Sequence, residues 1–436
     1  MKYGLIGKTL VHSYSREIHE ALGKYEYHLF SLTEEEMPAF IGRRDFGGLN
    51  VTIPYKQAVM PLCDEISELA AAIGAVNTLY WRGGRLVGHN TDYAGFLYAA
   101  KRAGIDFAGK NVLILGTGGT SLMARKAAAD QGAAQIFLAS RSGNGPAQGD
   151  ASCRRLSYEA LPEVAETVRI IVNTTPVGTF PNNLDSLIHL EAFPACEAVM
   201  DVIYNPFRTR LLLEAEQRGL RCSNGLPMLV AQATAAAGYF LDAPGAFEKE
   251  NERIITGLQR QMQNIVLIGM PGSGKTTIAK LLSKKTGKPL VDTDEEIVKK
   301  AGRSIPEIFA QSGEAGFRKL ETDTILELGK QHGQIIATGG GAVLRAENVA
   351  ALRQNGLLLH ILRPVAFLPT QGRPLSGDLK AMREMEKVRM PLYRAAADLT
   401  FDNSRTRSRK KLLEAVCKTL GFDDEAPEPD DGPPEL

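Results

Sequence analysis

Three stretches of this 436-residue chain carry side chains whose type and spacing suit phosphate chemistry. The run Gly269-Met270-Pro271-Gly272-Ser273-Gly274-Lys275-Thr276 fits G-x-x-x-x-G-K-[ST] between an apolar run, NIVLI, and a helical one, IAKLLSKK. Glycines there let backbone N–H groups wrap phosphates at a helix N-terminus, Lys275 offsets β/γ charge and the Thr276 hydroxyl can hold Mg²⁺, which makes an NTP site the expectation. Downstream, Pro289-Leu290-Val291-Asp292-Thr293-Asp294 reads as a strand ending in two carboxylates at alternate positions on one side, one for metal and one for substrate. Third, Asn111-Val112-Leu113-Ile114-Leu115 runs into Gly116-Thr117-Gly118-Gly119-Thr120-Ser121, close to the dinucleotide fingerprint. The next apolar run ends in Ser140-Arg141-Ser142, with no acid to receive a ribose 2′-hydroxyl, so charge favours NADP(H) over NAD. The plainer reading of Arg141 is a solvated arginine at a strand end.

These loops need strands and helices in alternation, and apolar runs followed by Gly-rich turns and helical patterns supply it throughout, as expected of parallel α/β sheets. At 436 residues the chain has room for two to three domains of about 150 residues. The two Gly-rich loops differ in spacing, which favours unrelated modules over duplication. The charged amphipathic stretch before Gln263 places a boundary near Met262. Lys+Arg total 51 against 50 Asp+Glu, a net +1 that gives no bulk attraction to nucleic acid or anionic lipid, so neither is an expected partner. Five cysteines without C-x-x-C spacing argue against a disulfide framework or structural zinc, and no apolar run approaches the roughly 20 residues that span a bilayer. A cytoplasmic protein is expected. The last residues, 423–436, hold seven acids and four prolines and no base, a composition expected to form a disordered acidic tail.

The motifs around the phosphate loop occur in a specific order: Phe309-x-x-x-Gly313-Glu314-x-x-Phe317-Arg318-x-x-Glu321, Thr338-Gly339-Gly340-Gly341, Arg373-Pro374-Leu375 and Arg389-x-Pro391-x-Tyr393. With them, the segment from Asn264 to about Gly421 resembles shikimate kinase. The resemblance implies that Asp294, Arg318, Gly340 and Arg389 bind shikimate and that Asp292 and Thr276 serve Mg²⁺. It further implies that Gly272, Ser273, Gly274, Lys275, Thr276 and Thr277 hold ATP, with Arg373 as the lid arginine; Lys275, Asp294 and Arg373 form the catalytic set. Planar guanidinium groups at 318 and 389 suit a small carboxylate, although a lone arginine is by default a surface ion pair. The stretch 362–376 is shorter and less basic than the family's usual lid.

The first part resembles shikimate dehydrogenase from Met1 to about Gln259. The resemblance rests on Ile6-Gly7 with His12-Ser13-Tyr14-Ser15, Asn50-Val51-Thr52-Ile53-Pro54-Tyr55-Lys56, Gly74-Ala75-Val76-Asn77-Thr78, Asn90-Thr91-Asp92, Asn173-Thr174-Thr175-Pro176-x-Gly178, Asp201-x-x-Tyr204 and Met228-Leu229-Val230-Ala231-Gln232-Ala233. It implies a catalytic pair, Lys56 and Asp92, with Ser13, Ser15, Asn50, Thr52, Asn77, Tyr204 and Gln232 around the substrate. Gly116, Thr117, Gly118, Gly119 and Thr120, with Ser140, Arg141, Ser142 and Gly225, would surround NADP(H). Lys56 is a sensible proton donor to a ketone oxygen and Asp92 would hold its ammonium. The plainer readings are a solvated loop lysine and a helix N-cap for Asp92, which can serve both purposes.

The expected fold class is α/β: a substrate-binding α/β domain over 1–105, completed by helices in 226–260, a Rossmann NADP domain over 106–225, and a P-loop NTPase-like parallel α/β kinase domain over 263–421, then the tail 422–436. The two family reactions are consecutive, reduction of 3-dehydroshikimate to shikimate and phosphorylation of shikimate, with NADP(H), ATP and Mg²⁺ as cofactors. Two other readings stay open at this point. One is a quinate/shikimate dehydrogenase with a kinase for another small polyol; the other is a non-catalytic ligand-sensing regulator on the same folds.

Overall fold

The computed structural model describes residues 2–10, 13–143, 153–368, 379–405 and 408–422. His12, Arg373, most of the segment 362–376 and the acidic tail from 423 lie outside them. The chain divides into two compact units, Met1–Gln259 and Arg260–Leu436. No described helix is long and apolar enough to cross a membrane.

The first unit holds two six-stranded sheets. One is built from β1 (Lys2–Gly7), β2 (Tyr27–Ser31), β3 (Phe46–Val51), β4 (Glu65–Ile66), β5 (Thr78–Arg82) and β6 (Arg85–His89), in the order β2-β1-β3-β5-β6-β4. β3 pairs antiparallel with β5, and β5 with β6; the turn between the last two uses Gly83 and Gly84, both at positive φ. β3 is buried along its whole length, as a strand covered on both faces must be. The helix Leu226–Phe240 covers this sheet: Phe240 packs where a Cβ on Gly48 would stand, 2.2 Å away, so only glycine fits in β3 there.

The other sheet contains β7 (Asn111–Leu115), β8 (Gln135–Ser140), β9 (Cys153–Ser157), β10 (Ile170–Asn173), β11 (Ala198–Asp201) and β12 (Arg221–Ser223). Its order β9-β8-β7-β10-β11-β12, all parallel, is the 3-2-1-4-5-6 arrangement of a dinucleotide-binding sheet. The strand order reverses between β7 and β10, and the crevice beyond their carboxyl ends is where such a sheet takes a ligand. Apolar layers on both faces, with Ile114, Met123 and Val172 on one side and Leu113, Ile171 and Leu212 on the other, account for the unbroken apolar runs of these strands.

The second unit is one five-stranded parallel sheet of β13 (Asn264–Ile268), β14 (Leu290–Asp292), β15 (Ile335–Ala337), β16 (Gly356–Leu362) and β17 (Leu399–Asp402), ordered β14-β15-β13-β16-β17. The central β13 is wholly buried and delivers the phosphate loop at its carboxyl end. The strand expected to carry both Asp292 and Asp294 stops at Asp292. The Asp292 carboxylate accepts the backbone N–H of Asp294 at 3.0 Å and so caps the helix Thr293–Ala301, which puts Asp294 on the first turn of that helix rather than on a strand.

Two candidate active sites

In the first unit a cavity of about 360 Å³ gathers Ser13, Ser15, Asn50, Thr52, Lys56, Asn77, Asp92, Tyr204 and Gln232, every residue expected around the substrate, together with Thr120 and Gly225 from the nucleotide set. Lys56 and Asp92 lie 36 positions apart in sequence yet meet at 2.5 Å, Nζ to Oδ2, with their side chains 15% and 11% exposed. Main-chain bonds set that meeting: the Lys56 carbonyl accepts the N–H of Val76, and the Asn77 N–H donates to the His89 carbonyl. Asp92 is the first residue of the helix Asp92–Arg102 but does not cap it, contrary to the double role open to it in sequence. The Asn90 carboxamide oxygen receives the Tyr93 N–H instead, which leaves the Asp92 carboxylate to the lysine.

Behind the cavity floor runs a buried polar network that the motifs did not announce. Tyr27 donates its hydroxyl to Asn50 Oδ1 at 2.7 Å, and Asn50 Nδ2 donates to the Asn77 carbonyl and to Thr78 Oγ1. Asn77 Oδ1 accepts the Thr91 N–H at 2.7 Å, while its Nδ2 donates to Thr91 Oγ1 and to Gln232 Oε1. A fully satisfied network of this kind holds each amide in one orientation. Asp201, only 2% exposed, accepts from Asn173 Nδ2, the Thr209 hydroxyl and the Ile203 N–H, and thereby fixes the loop leading to Tyr204. Burial pushes its carboxyl up to about 6 against those three bonds. Burial likewise raises the Tyr204 phenol, so it stays a protonated donor at neutral pH.

Gly116, Thr117, Gly118, Gly119, Ser140, Arg141 and Ser142 are not on this cavity's wall. They lie at or just past the carboxyl ends of the neighbouring strands β7 and β8, whose register pairs Leu115 with Ala139. Gly116 has φ +108°, and a Cβ there would meet Thr174 Oγ1 at 2.9 Å, so the turn closes only with glycine. Around Gly118 there is open space, and the helix Gly119–Asp130 begins at it. A glycine turn, a helix N-terminus and an exposed guanidinium past β8 together fit a dinucleotide with a 2′-phosphate.

The second unit has a larger cavity, about 960 Å³, lined by Gly272, Gly274, Lys275, Thr276, Thr277, Asp292, Asp294, Arg318, Gly340 and Arg389. Ser273, also expected at the nucleotide, is fully buried within the loop. Gly274 has φ +102° and passes the chain into the helix Lys275–Thr286; a Cβ on it would lie 2.7 Å from Asn403 Nδ2. Lys275 Nζ donates to the carbonyls of Gly269 and Met270, which curl the loop around it. Thr276 Oγ1 stands 3.3 Å from Asp292 Oδ2, a hydroxyl and a carboxylate side by side where a hard cation on a nucleotide phosphate is held, so the donor set fits Mg²⁺.

On the substrate side, Arg318 donates to Glu321 Oε2 at 2.8 Å and to Glu314 at 3.2 Å, and Arg389 donates to the Gly340 carbonyl at 3.0 Å. A Cβ on Gly339 would meet Asp294 Oδ1 at 2.7 Å and one on Gly341 would meet the Arg318 guanidinium, so a side chain at either position would displace a residue of the site. Glu321 is 1% exposed and faces the same cavity, a role that its i,i+3 spacing from Arg318 on one helix could have disclosed. Ile305, Phe309 and Phe317 add an apolar wall, with the two phenyl rings stacked at 4.8 Å. Burial raises the Asp294 carboxyl to about 6, with Asp292 and Glu321 adding to the rise and Lys275 and Arg318 opposing it.

A family profile described as "Shikimate kinase" matches residues 271–420, and one described as "Shikimate dehydrogenase substrate binding domain" matches residues 5–79. A shikimate dehydrogenase (NADP(+)) of Clostridium perfringens (strain SM101 / Type A) is 38% identical over 247 residues, which cover 54% of this chain and 90% of the relative. Among solved structures, a chorismate mutase/shikimate 5-dehydrogenase fusion protein from Clostridium acetobutylicum is 34% identical with a TM-score of 0.55, covering 59% of this chain and 96% of that one. Shikimate 5-dehydrogenase from Thermus thermophilus, solved in complex with NADP(H) and shikimate, is 32% identical with a TM-score of 0.51, covering 59% of this chain and 99% of that one. The strand order, the two cavities and these similarities agree: this chain belongs to the shikimate dehydrogenase family and carries a shikimate kinase domain in the same polypeptide.

Proposed function

We propose that the protein is a bifunctional cytoplasmic enzyme of the shikimate pathway that reduces 3-dehydroshikimate to shikimate with NADPH and then phosphorylates shikimate at its 3-hydroxyl with ATP and Mg²⁺. The observation that carries the reading is that each unit gathers a lysine, a carboxylate and groups able to hold a small hydroxy-acid in one cavity.

In the first unit, bound NADPH would supply the hydride. Lys56 Nζ donates the proton to the ketone oxygen as negative charge develops there, and Asp92 Oδ2 keeps the ammonium aimed. Ser13 and Ser15 offer short hydroxyls to the substrate carboxylate, while the Asn77 amide, fixed by Thr91, and the Gln232 amide, fixed by Asn77 Nδ2 and the Leu229 carbonyl, hold ring hydroxyls. In the second unit, bound ATP with Mg²⁺ would supply the phosphoryl group. Lys275 and the loop amides hold its phosphates, with Arg373 as the lid cation, and Thr276 and Asp292 would hold the metal. Arg318 and Arg389 hold the shikimate carboxylate, and Asp294 orients the attacking hydroxyl and takes its proton at the carboxylate; a pKa of about 6 suits that task near neutral pH.

The test is turnover by the purified chain in 3-dehydroshikimate, NADPH, ATP and Mg²⁺. The expected result is oxidation of NADPH and release of ADP in equal amounts, with shikimate 3-phosphate as product. Shikimate accumulating without ADP would remove the kinase half, and unconsumed NADPH the dehydrogenase half.

A further inference from the structure

The cations on the wall of the second unit's cavity are engaged, with one exception among the described residues. Lys275 is held by the Gly269 and Met270 carbonyls, Arg318 by Glu321 and Glu314, and Arg389 by the Gly340 carbonyl. Arg363 lines the same cavity and has no ion pair or hydrogen bond among the described residues; its Nε is buried from water without a partner. A buried guanidinium N–H that has given up water and gained nothing calls for an acceptor that a ligand brings.

The chain's path says which part of a ligand. Arg363 follows β16, two positions after Ile361, whose carbonyl lies 2.6 Å from the Cβ position of Gly269, the first residue of the phosphate loop. The intervening Leu362 accepts the Asn403 N–H at 2.8 Å, and Asn403 Nδ2 donates to the Ser273 carbonyl at 2.8 Å. The backbone at Arg363 thus runs close against the start of the loop and is linked through Asn403 to its far end, and its side chain shares the cavity wall with the loop that cradles polyphosphate, the anion for which planar donors are suited. We infer that Arg363 is a nucleotide-binding residue of the kinase unit, its guanidinium contacting the polyphosphate of the bound nucleotide. The inference rests on reading this cavity as an ATP site.

Calorimetric titration of the full chain tests it, with Arg363→Gln compared to the parent for MgADP, for adenosine at millimolar concentration, and for shikimate. The expected result is a roughly ten- to hundred-fold loss of MgADP affinity, the worth of a charge-assisted hydrogen bond, with adenosine and shikimate binding unchanged. Arg363→Lys, which keeps a cation of similar reach, is expected to lie between the two. Unchanged MgADP affinity in Arg363→Gln overturns the inference. So does an equal loss for adenosine or shikimate, since the residue would then shape the cavity rather than hold phosphate. Failure of the parent chain itself to bind MgADP would instead defeat the ATP-site reading.

Discussion

Replacing Asp294 with asparagine is expected to make the kinase unit more stable and catalytically dead. The carboxyl sits in a wall where burial, Asp292 and Glu321 raise its pKa from the ordinary 3.8 to about 6, only partly offset by Lys275 and Arg318. Below about pH 4 the group is protonated in folded and unfolded chains alike. Between about 4 and 6 the folded chain keeps a proton that the unfolded chain has released, so stability falls as pH rises through this window and stays lower above it. Two pH units at about 1.4 kcal/mol each give a ceiling of about 3 kcal/mol at neutral pH, and water reaching a part-exposed carboxylate lowers that to about 1–3 kcal/mol. Asp294→Asn removes this cost while keeping shape. For a unit of this size, about 3 °C per kcal/mol predicts a midpoint raised by about 3–9 °C at pH 7.5 and equal to the parent near pH 4. Scanning calorimetry of the full chain reads it, with the kinase transition recognised as the one MgADP moves. The same variant should lose at least about a hundredfold in kcat for shikimate phosphorylation, and the parent's kcat/KM should fall as pH drops through about 6. A variant no more stable at pH 7.5, or a gap that persists at pH 4, would refute the electrostatic argument.

The other predictions concern separability and fit. Lys56→Ala should cut NADPH oxidation by about 10² to 10⁴-fold and leave phosphorylation of supplied shikimate intact, and Lys275→Ala should do the reverse; steady-state rates of both reactions on each variant decide it. Arg141→Gln should raise KM for NADPH about tenfold or more while leaving that for NADH unchanged, read from parallel kinetics with both cofactors; an equal effect on both would mean Arg141 is merely solvated. Gly341→Ala brings a methyl group to 2.0 Å from the Arg318 guanidinium, so the arginine must leave Glu321 and Glu314; KM for shikimate should rise at least about tenfold, with dehydrogenase rates unaltered.

The sequence made some of this legible because certain chemistry is local. The phosphate loop needs its glycines, lysine and threonine within eight positions, and alternating apolar runs and helical patterns announced the two all-parallel sheets; the first sheet departs from that expectation at β3-β5-β6, which pair antiparallel, β5 and β6 through a two-glycine turn that leaves no room for a crossover helix. Where a contact is made between distant segments, local pattern is silent: Lys56 and Asp92 are 36 positions apart, and nothing in either neighbourhood says that they meet. The Asn50, Asn77, Thr78, Thr91 and Gln232 network is legible only once β3, β5 and the helix Leu226–Phe240 are laid together. Alternation in LVDTD mimics a strand running through Asp294; the Asp292 carboxylate, by capping a helix, ends the strand two residues earlier. Arg363 carries no motif, and only the cavity wall and its unpartnered Nε single it out.

The most direct test of two separate sites for one acid is calorimetric titration of shikimate into the intact chain held with NADPH and MgADP, partners that allow binding without turnover. Two shikimate molecules per chain are predicted, falling to one when Arg318 and Arg389 are both changed to glutamine, with the remaining site still able to reduce 3-dehydroshikimate. A single molecule per parent chain would contradict the account.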